Sequence, residues 1–277
     1  MSHALVIEGG GMKGAYANGV LSAFEEAGHT RFDALYGTSA GGALAAWFSA
    51  GQAVYAEETW PYAGDRRIVN YGRWLTRRGP LLDHEALLDI VYLKEHPLDI
   101  AAVQRYPSPV VVVASDVESG AAHYQDLRCT DVISWLKATG RLPAASGPVV
   151  SIGGRRYLDG GITDPIPVRR AAAEGHDHIT LILNNPPGPL RRDNPILAEF
   201  TARRWPALRE GIVHHQERKH EAIAWAERPP AGLSVSIIRP LQTTGLHRLS
   251  RDIGAIRAGI ALGREDGARH LKRLDAL

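Results

Sequence analysis

The chain has 277 residues, 44% of them hydrophobic, with a formal net charge of +2 and a single cysteine. Such a length can bury one sizeable core, so one globular domain over 1–277 is expected, with a motif-bearing core at about 4–183 and a less regular part at 184–277. The near-neutral charge implies no nucleic-acid partner, one cysteine excludes an intramolecular disulfide framework, and no stretch approaches the ~18 apolar residues of a membrane span.

In chain order, Ala4 to Ile7 reads as a first core strand. Four apolar residues running into a glycine loop are far too short for a signal h-region, so the expected placement is cytoplasmic, with room for peripheral contact at the inner membrane face. Glu8-Gly9-Gly10-Gly11-Met12-Lys13-Gly14 follows, ahead of a helical stretch Ala15 to Ala27. Consecutive glycines leave backbone N–H groups uncovered, and such a loop can close on an oxyanion or a phosphate. Gly9, Gly11 and Gly14 also satisfy the dinucleotide fingerprint, with Asp33 at a suitable distance, which keeps a nucleotide-binding module open as an alternative. Against it, Asp33 precedes most of the apolar strand Phe32 to Tyr36 instead of ending it.

Next comes Gly37-Thr38-Ser39-Ala40-Gly41, between that strand and an apolar helix Gly42 to Ser49. A strand, G-x-S-x-G, helix context is that of a nucleophile elbow, whose small residues Gly37 and Gly41 let the serine hydroxyl stand out at a helix N-terminus. Trp60 to Asp83 mixes aromatic and basic residues and suits either local packing or a lipid surface. Val110 to Asp116 is an apolar run expected of a strand covered on both faces. A hairpin, Val149 to Ile152 and Arg155 to Leu158, turns at Gly153-Gly154 and delivers Asp159-Gly160-Gly161, a carboxylate at a strand end with little bulk beside it. Strands at His178 to Leu183 and Leu233 to Ile238 flank helical stretches Ile196 to Trp205 and Leu208 to Ala226, a region suited to a lid or an oligomer contact. Cys129 is expected to pack as a small, at least half-buried hydrophobe.

The three glycine motifs, in this order, resemble those of the patatin-like phospholipase family, over about residues 4 to 183. The resemblance implies a three-layer α/β fold with a mainly parallel sheet flanked by helices. It implies that Ser39 is the nucleophile of a Ser-Asp dyad with Asp159 as its base. The loop Gly9, Gly10, Gly11, Met12, Lys13 and Gly14 would form the oxyanion hole, with Gly160 and Gly161 completing the last motif. The implied substrate is a lipid or related acyl ester, cleaved as by a serine esterase without cofactor or metal. A catalytically silent regulatory protein of the same fold is the other alternative. Head-group and chain preference, the acyl acceptor and the oligomeric state stay open. The twelve histidines sit in no recognisable metal or triad context, His215 and His220 being five apart and off the i, i+4 spacing of paired ligands.

Overall fold

The computed structural model describes residues 2–143, 145–188 and 194–274. One sheet gathers strands from nearly the whole length: β1 (His3–Ile7), β2 (Ala34–Thr38), β3 (Val110–Asp116), β4 (Ala122–Asp126), β5 (Val150–Ile152), β6 (Arg155–Asp159), β7 (His178–Ile182) and β8 (Ser234–Ile238). Their spatial order is β5-β6-β3-β2-β1-β7-β8, with β4 paired to β3 off that path. The five strands from β3 to β8 through β2, β1 and β7 are parallel, and β4 and β6 run antiparallel to β3.

Alternation along the strands builds three layers, because successive side chains point to opposite faces. Leu5, Ile7, Leu35, Val110 and Val112 join one core, under α1 (Gly14–Glu26) and α2 (Ala40–Ser49). Ala4, Val6, Tyr36 and Val111 join the other, under α5 (Val168–Ala173) and part of α8 (His215–Glu227). All seven residues of β3 are buried, as both covered faces demand.

The remaining helices named below are α3 (Tyr71–Leu75), α4 (Val132–Thr139), α6 (Pro195–Ala202), α7 (Arg209–Val213) and α9 (Ile253–Leu274). The longest, α9, lies against α1 at backbone contact. A Cβ on Gly263 would stand 2.0 Å from the Tyr16 carbonyl oxygen, and one on Gly19 2.0 Å from that of Ile260. The buried Tyr16 hydroxyl donates to Asp266 Oδ2 at 2.7 Å across the same seam.

Several sequence expectations are corrected. Strand β2 begins at Ala34, so Gly37 and Thr38 belong to the strand and the turn contracts to Ser39. Residues 208–226 are broken at His214 into α7 and α8 instead of forming one helix. Cys129 is exposed, because the short turn that carries it buries Leu127 and faces the cysteine outward. In the aromatic and basic segment, Ile68, Val69 and Leu81 are core and Trp60 donates its indole N–H to Asn18, so the segment is anchored in the fold and its exposed part centres on Arg66, Arg67 and α3. No helix among the described residues is long and apolar enough to cross a membrane.

Candidate active site

Ser39 sits between β2 and α2 with φ 55° and ψ −124°, a conformation that costs a non-glycine residue of order 1–3 kcal/mol. Two glycine contacts make the turn this tight. A Cβ on Gly37 would lie 2.2 Å from the Gly41 carbonyl oxygen, and one on Gly41 2.3 Å from that of Ile7 at the end of β1. The Ser39 backbone N–H donates to Thr139 Oγ1 at 2.9 Å, anchoring the elbow to the end of α4.

Asp159 arrives from the other direction. Thr38 pairs with Val113 in β3 and Ala114 pairs with Asp159 in β6, which brings residues 39 and 159 to one level, two strands apart. The side chains close the gap over the small Ala114: Ser39 Oγ–H donates to Asp159 Oδ2 at 2.7 Å. Asp159 Oδ1 accepts the Gly161 N–H, also at 2.7 Å, so both carboxylate oxygens are held. Asp159 is 4% exposed, and burial raises its pKa from 3.8 to about 6 against the opposing pull of the Ser39 and Gly161 hydrogen bonds and the Arg248 charge.

The glycine loop lies beside this pair, a Cβ on Gly9 falling 3.2 Å from Ser39 Cβ. Its amides divide into two sets. Met12 N–H donates to the Arg248 carbonyl oxygen at 3.1 Å, Lys13 N–H to Gly10 O at 3.3 Å, and Gly14 N–H turns back on Gly11 and Met12. Those three are already spent, so within the expected oxyanion loop Met12, Lys13 and Gly14 do not present free amides. Among the described residues the amides of Gly9, Gly10 and Gly11 have no acceptor. Lys13 Nζ donates to Asn185 Oδ1 at 2.5 Å. Beneath the loop, the buried Glu8 accepts the Asn184 N–H at 2.6 Å and forms an ion pair with Lys219 of α8.

The site opens into a cavity of about 1360 Å³. One wall, from α2, α4 and residues 68–92, is apolar: Leu44, Trp47, Ile68, Leu88, Tyr92 and Leu136. His84 stands among them as a buried imidazole whose pKa burial depresses to about 4, so it is neutral in the wall. The opposite wall, from the glycine loop, residues 183–188, α8 and 239–249, presents Lys13, Asn185, Lys219, His220, Arg239 and Arg248.

Sequence reasoning missed His215, Lys219 and Arg248, and no local signal could have found them. They lie 56 or more positions beyond Asp159 and enter only because α8 and residues 243–249 fold over the strand ends. The dinucleotide alternative loses its acid, because Asp33 sits at the amino end of β2, where its carboxylate accepts the His3 N–H at 2.7 Å, away from the glycine loop. No cluster of three or more His, Cys, Asp or Glu suited to a metal ion exists among the described residues.

The family model described as Patatin-like phospholipase matches residues 5–172. The uncharacterized protein YjjU of Escherichia coli (strain K12) is 29% identical over 294 residues, an alignment covering 99% of this chain and 78% of that protein. The crystal structure of VipD from Legionella pneumophila superposes with a TM-score of 0.45 at 13% identity, covering 98% of this chain and 67% of that one. With most of its length matched by the family model, glycine loop, elbow and Asp159 included, the chain belongs to the patatin-like phospholipase family.

Proposed function

We propose that the protein hydrolyses carboxylic esters of lipids with Ser39 as nucleophile and Asp159 as general base, in a single catalytic domain formed by the whole chain. The observation that carries this is the 2.7 Å hydrogen bond from Ser39 Oγ to a buried carboxylate, at a strained elbow beside three uncommitted amides. Asp159 takes the Ser39 proton as Oγ bonds to the ester carbonyl carbon. The oxygen, now anionic, is stabilised by amides of Gly9, Gly10 and Gly11. Collapse of the tetrahedral intermediate breaks the bond to the alcohol, which leaves with the proton from Asp159. Water, deprotonated by Asp159, then attacks the acyl-serine carbonyl carbon, and collapse breaks the bond to Ser39 Oγ, which takes the proton back from Asp159 as the fatty acid leaves. A pKa near 6 keeps this carboxylate largely ionised at neutral pH yet far more basic than an exposed aspartate, as a general base requires.

The wall chemistry supports an ester with an apolar acyl chain and a polar alcohol portion, the chain lying along Leu44, Trp47 and Leu88. Peripheral contact with a lipid surface belongs to the same proposal. Tyr71, Trp74 and Leu75 on α3 and Ile196, Leu197 and Phe200 on α6 are exposed, and Leu197 also lines the cavity. The deciding test is reaction with a fluorophosphonate followed by peptide mapping, alongside a panel of glycerophospholipids, acylglycerols and short-chain esters analysed by mass spectrometry. Modification confined to Ser39 with release of fatty acid is expected; folded protein left unmodified at Ser39 would sink the dyad.

A further inference from the structure

Three contacts beyond the dyad form a path from Asp159 back to the glycine loop. The Gly161 residue that donates to Asp159 Oδ1 uses its carbonyl oxygen to accept from His215 Nδ1 at 2.8 Å. His215 Nε2 lies 2.5 Å from Arg248 Nη2. Arginine has no acceptor, so Nε2 must be the unprotonated nitrogen and Nδ1 must carry the proton, which is the tautomer that the Gly161 carbonyl requires. Arg248 then closes the path with its main chain, its carbonyl oxygen accepting the Met12 N–H at 3.1 Å. The same oxygen is pressed against Gly11, which has φ +57° and whose added Cβ would lie 2.4 Å from it.

We infer that His215 and Arg248 are positioning residues that fix the Ser39–Asp159 pair and the glycine loop relative to each other. The inference rests on the reading of Ser39 and Asp159 proposed above. Nucleophile and base stand at the ends of β2 and β6, whereas the uncommitted amides stand on the loop after β1, two strands away from β3, to which β6 is paired. His215 sets one side of that distance by gripping Gly161, and Arg248 sets the other by gripping the loop between Gly11 and Lys13. The packing of α7 against the same turn, where a Cβ on Gly211 would lie 2.3 Å from the Ile162 carbonyl oxygen, leaves His215 little freedom to follow a displaced Gly161. Neither side chain hydrogen-bonds Ser39 or the Asp159 carboxylate, so neither transfers the proton. Both residues lie outside the stretch that the family model matches, so the clip is supplied by the C-terminal third.

Asparagine separates this role from bulk packing, because its Nδ2 sits on Cγ as Nδ1 does in histidine and can donate to the Gly161 carbonyl. The experiment compares wild type with His215→Ala, His215→Asn and Arg248→Gln, measuring kcat and KM on a soluble ester, the fluorophosphonate reaction rate of Ser39, and the melting temperature. His215→Ala is expected to lower kcat and the Ser39 reaction rate together by about 10- to 100-fold, the scale of a displacement near 1 Å, with KM changed by less than about threefold. His215→Asn should recover most of that loss. Arg248→Gln, on an exposed side chain, should give a smaller loss with an unchanged melting temperature. Wild-type rates in folded His215→Ala and Arg248→Gln overturn the clip while leaving the dyad standing. Equal impairment of His215→Ala and His215→Asn with earlier melting also overturns it, by showing that the ring only packs. A wild-type Ser39 that resists the reagent overturns the dyad and the clip together.

Discussion

The two ends of the parallel strands have been put to opposite uses. At the amino ends, backbone and side chains stitch neighbours together: Ser2 N–H donates to Asp177, His3 N–H to Asp33, Asp33 N–H to His3 O and Ser234 N–H to Asp177 O, all within 2.9 Å. His3, His29, Phe32 and His178 pack ring to ring over this edge, and burial holds the His3 pKa down at about 4. At the carboxyl ends, Ser39 is strained, Asp159 is buried with its pKa raised, and three amides have no acceptor among the described residues. Stability is gathered at one edge and spent at the other, a division expected where a rigid scaffold must hold an unfavourable geometry.

The comparison is tested most strongly at Ser39 and Asp159. Ser39→Ala should abolish turnover, and Asp159→Asn should lower kcat by about 10²–10⁴-fold or more. The second substitution should also stabilise the fold at neutral pH. Because the folded pKa of about 6 exceeds the unfolded 3.8, the contribution of Asp159 to stability is complete below about 3.8 and is lost as pH rises through about 6. Replacing it with a neutral isostere removes a cost of order 1–3 kcal/mol at pH 7, readable as a higher melting temperature. An Asp159→Asn protein that is inactive and melts no higher than wild type would mean that the carboxylate is not held against its ionisation.

The glycine loop comes next. Gly11→Ala forces a side chain onto φ +57° and into the Arg248 carbonyl, so it should move the free amides and cut kcat by about 10²-fold while KM changes little. A rise in KM alone would instead mark the loop as a ground-state binding element. Activity should also follow Asp159 ionisation, kcat climbing as pH rises through about 6 and levelling above it. A flat profile between pH 5 and 8 would assign the base elsewhere.

At the amino edge the expected signature is reversed. His3 is neutral in the fold and its unfolded pKa is 6.5, so its contribution is complete above about 6.5 and is lost as pH falls towards 4. His3→Ala should therefore lower the melting temperature and flatten its acid dependence, with kcat of the folded protein unchanged. A changed kcat would show that the two edges are coupled. The smallest effect is expected at the surface: Trp74→Ala with Arg77→Ala and Arg78→Ala should weaken cosedimentation with anionic vesicles and slow hydrolysis of vesicle lipid, while a soluble ester is cleaved as before. Loss on both substrates with earlier melting would make α3 a part of the core.

The sequence by itself determined the features whose requirements are local. Gly37 had to be small because its own turn puts the Gly41 carbonyl oxygen 2.2 Å from where its Cβ would stand, the apolar run Val110–Val113 had to be doubly covered, and Asp159 had to follow a hairpin closed by two glycines with positive φ. Those constraints act over a few residues and leave a legible mark. Tertiary structure alone decided the rest. Only the registers of β2, β3 and β6 place Asp159 level with Ser39. Only the return of residue 248 consumes the Met12 amide and leaves Gly9, Gly10 and Gly11 as the free donors. The break at His214 turns His215 towards Gly161, and the glycine face of α9 acquires meaning only when α1 lies against it. A hydrogen bond between groups 54 or 236 residues apart leaves no period or spacing in the chain, because what selects it is the packing of whole layers.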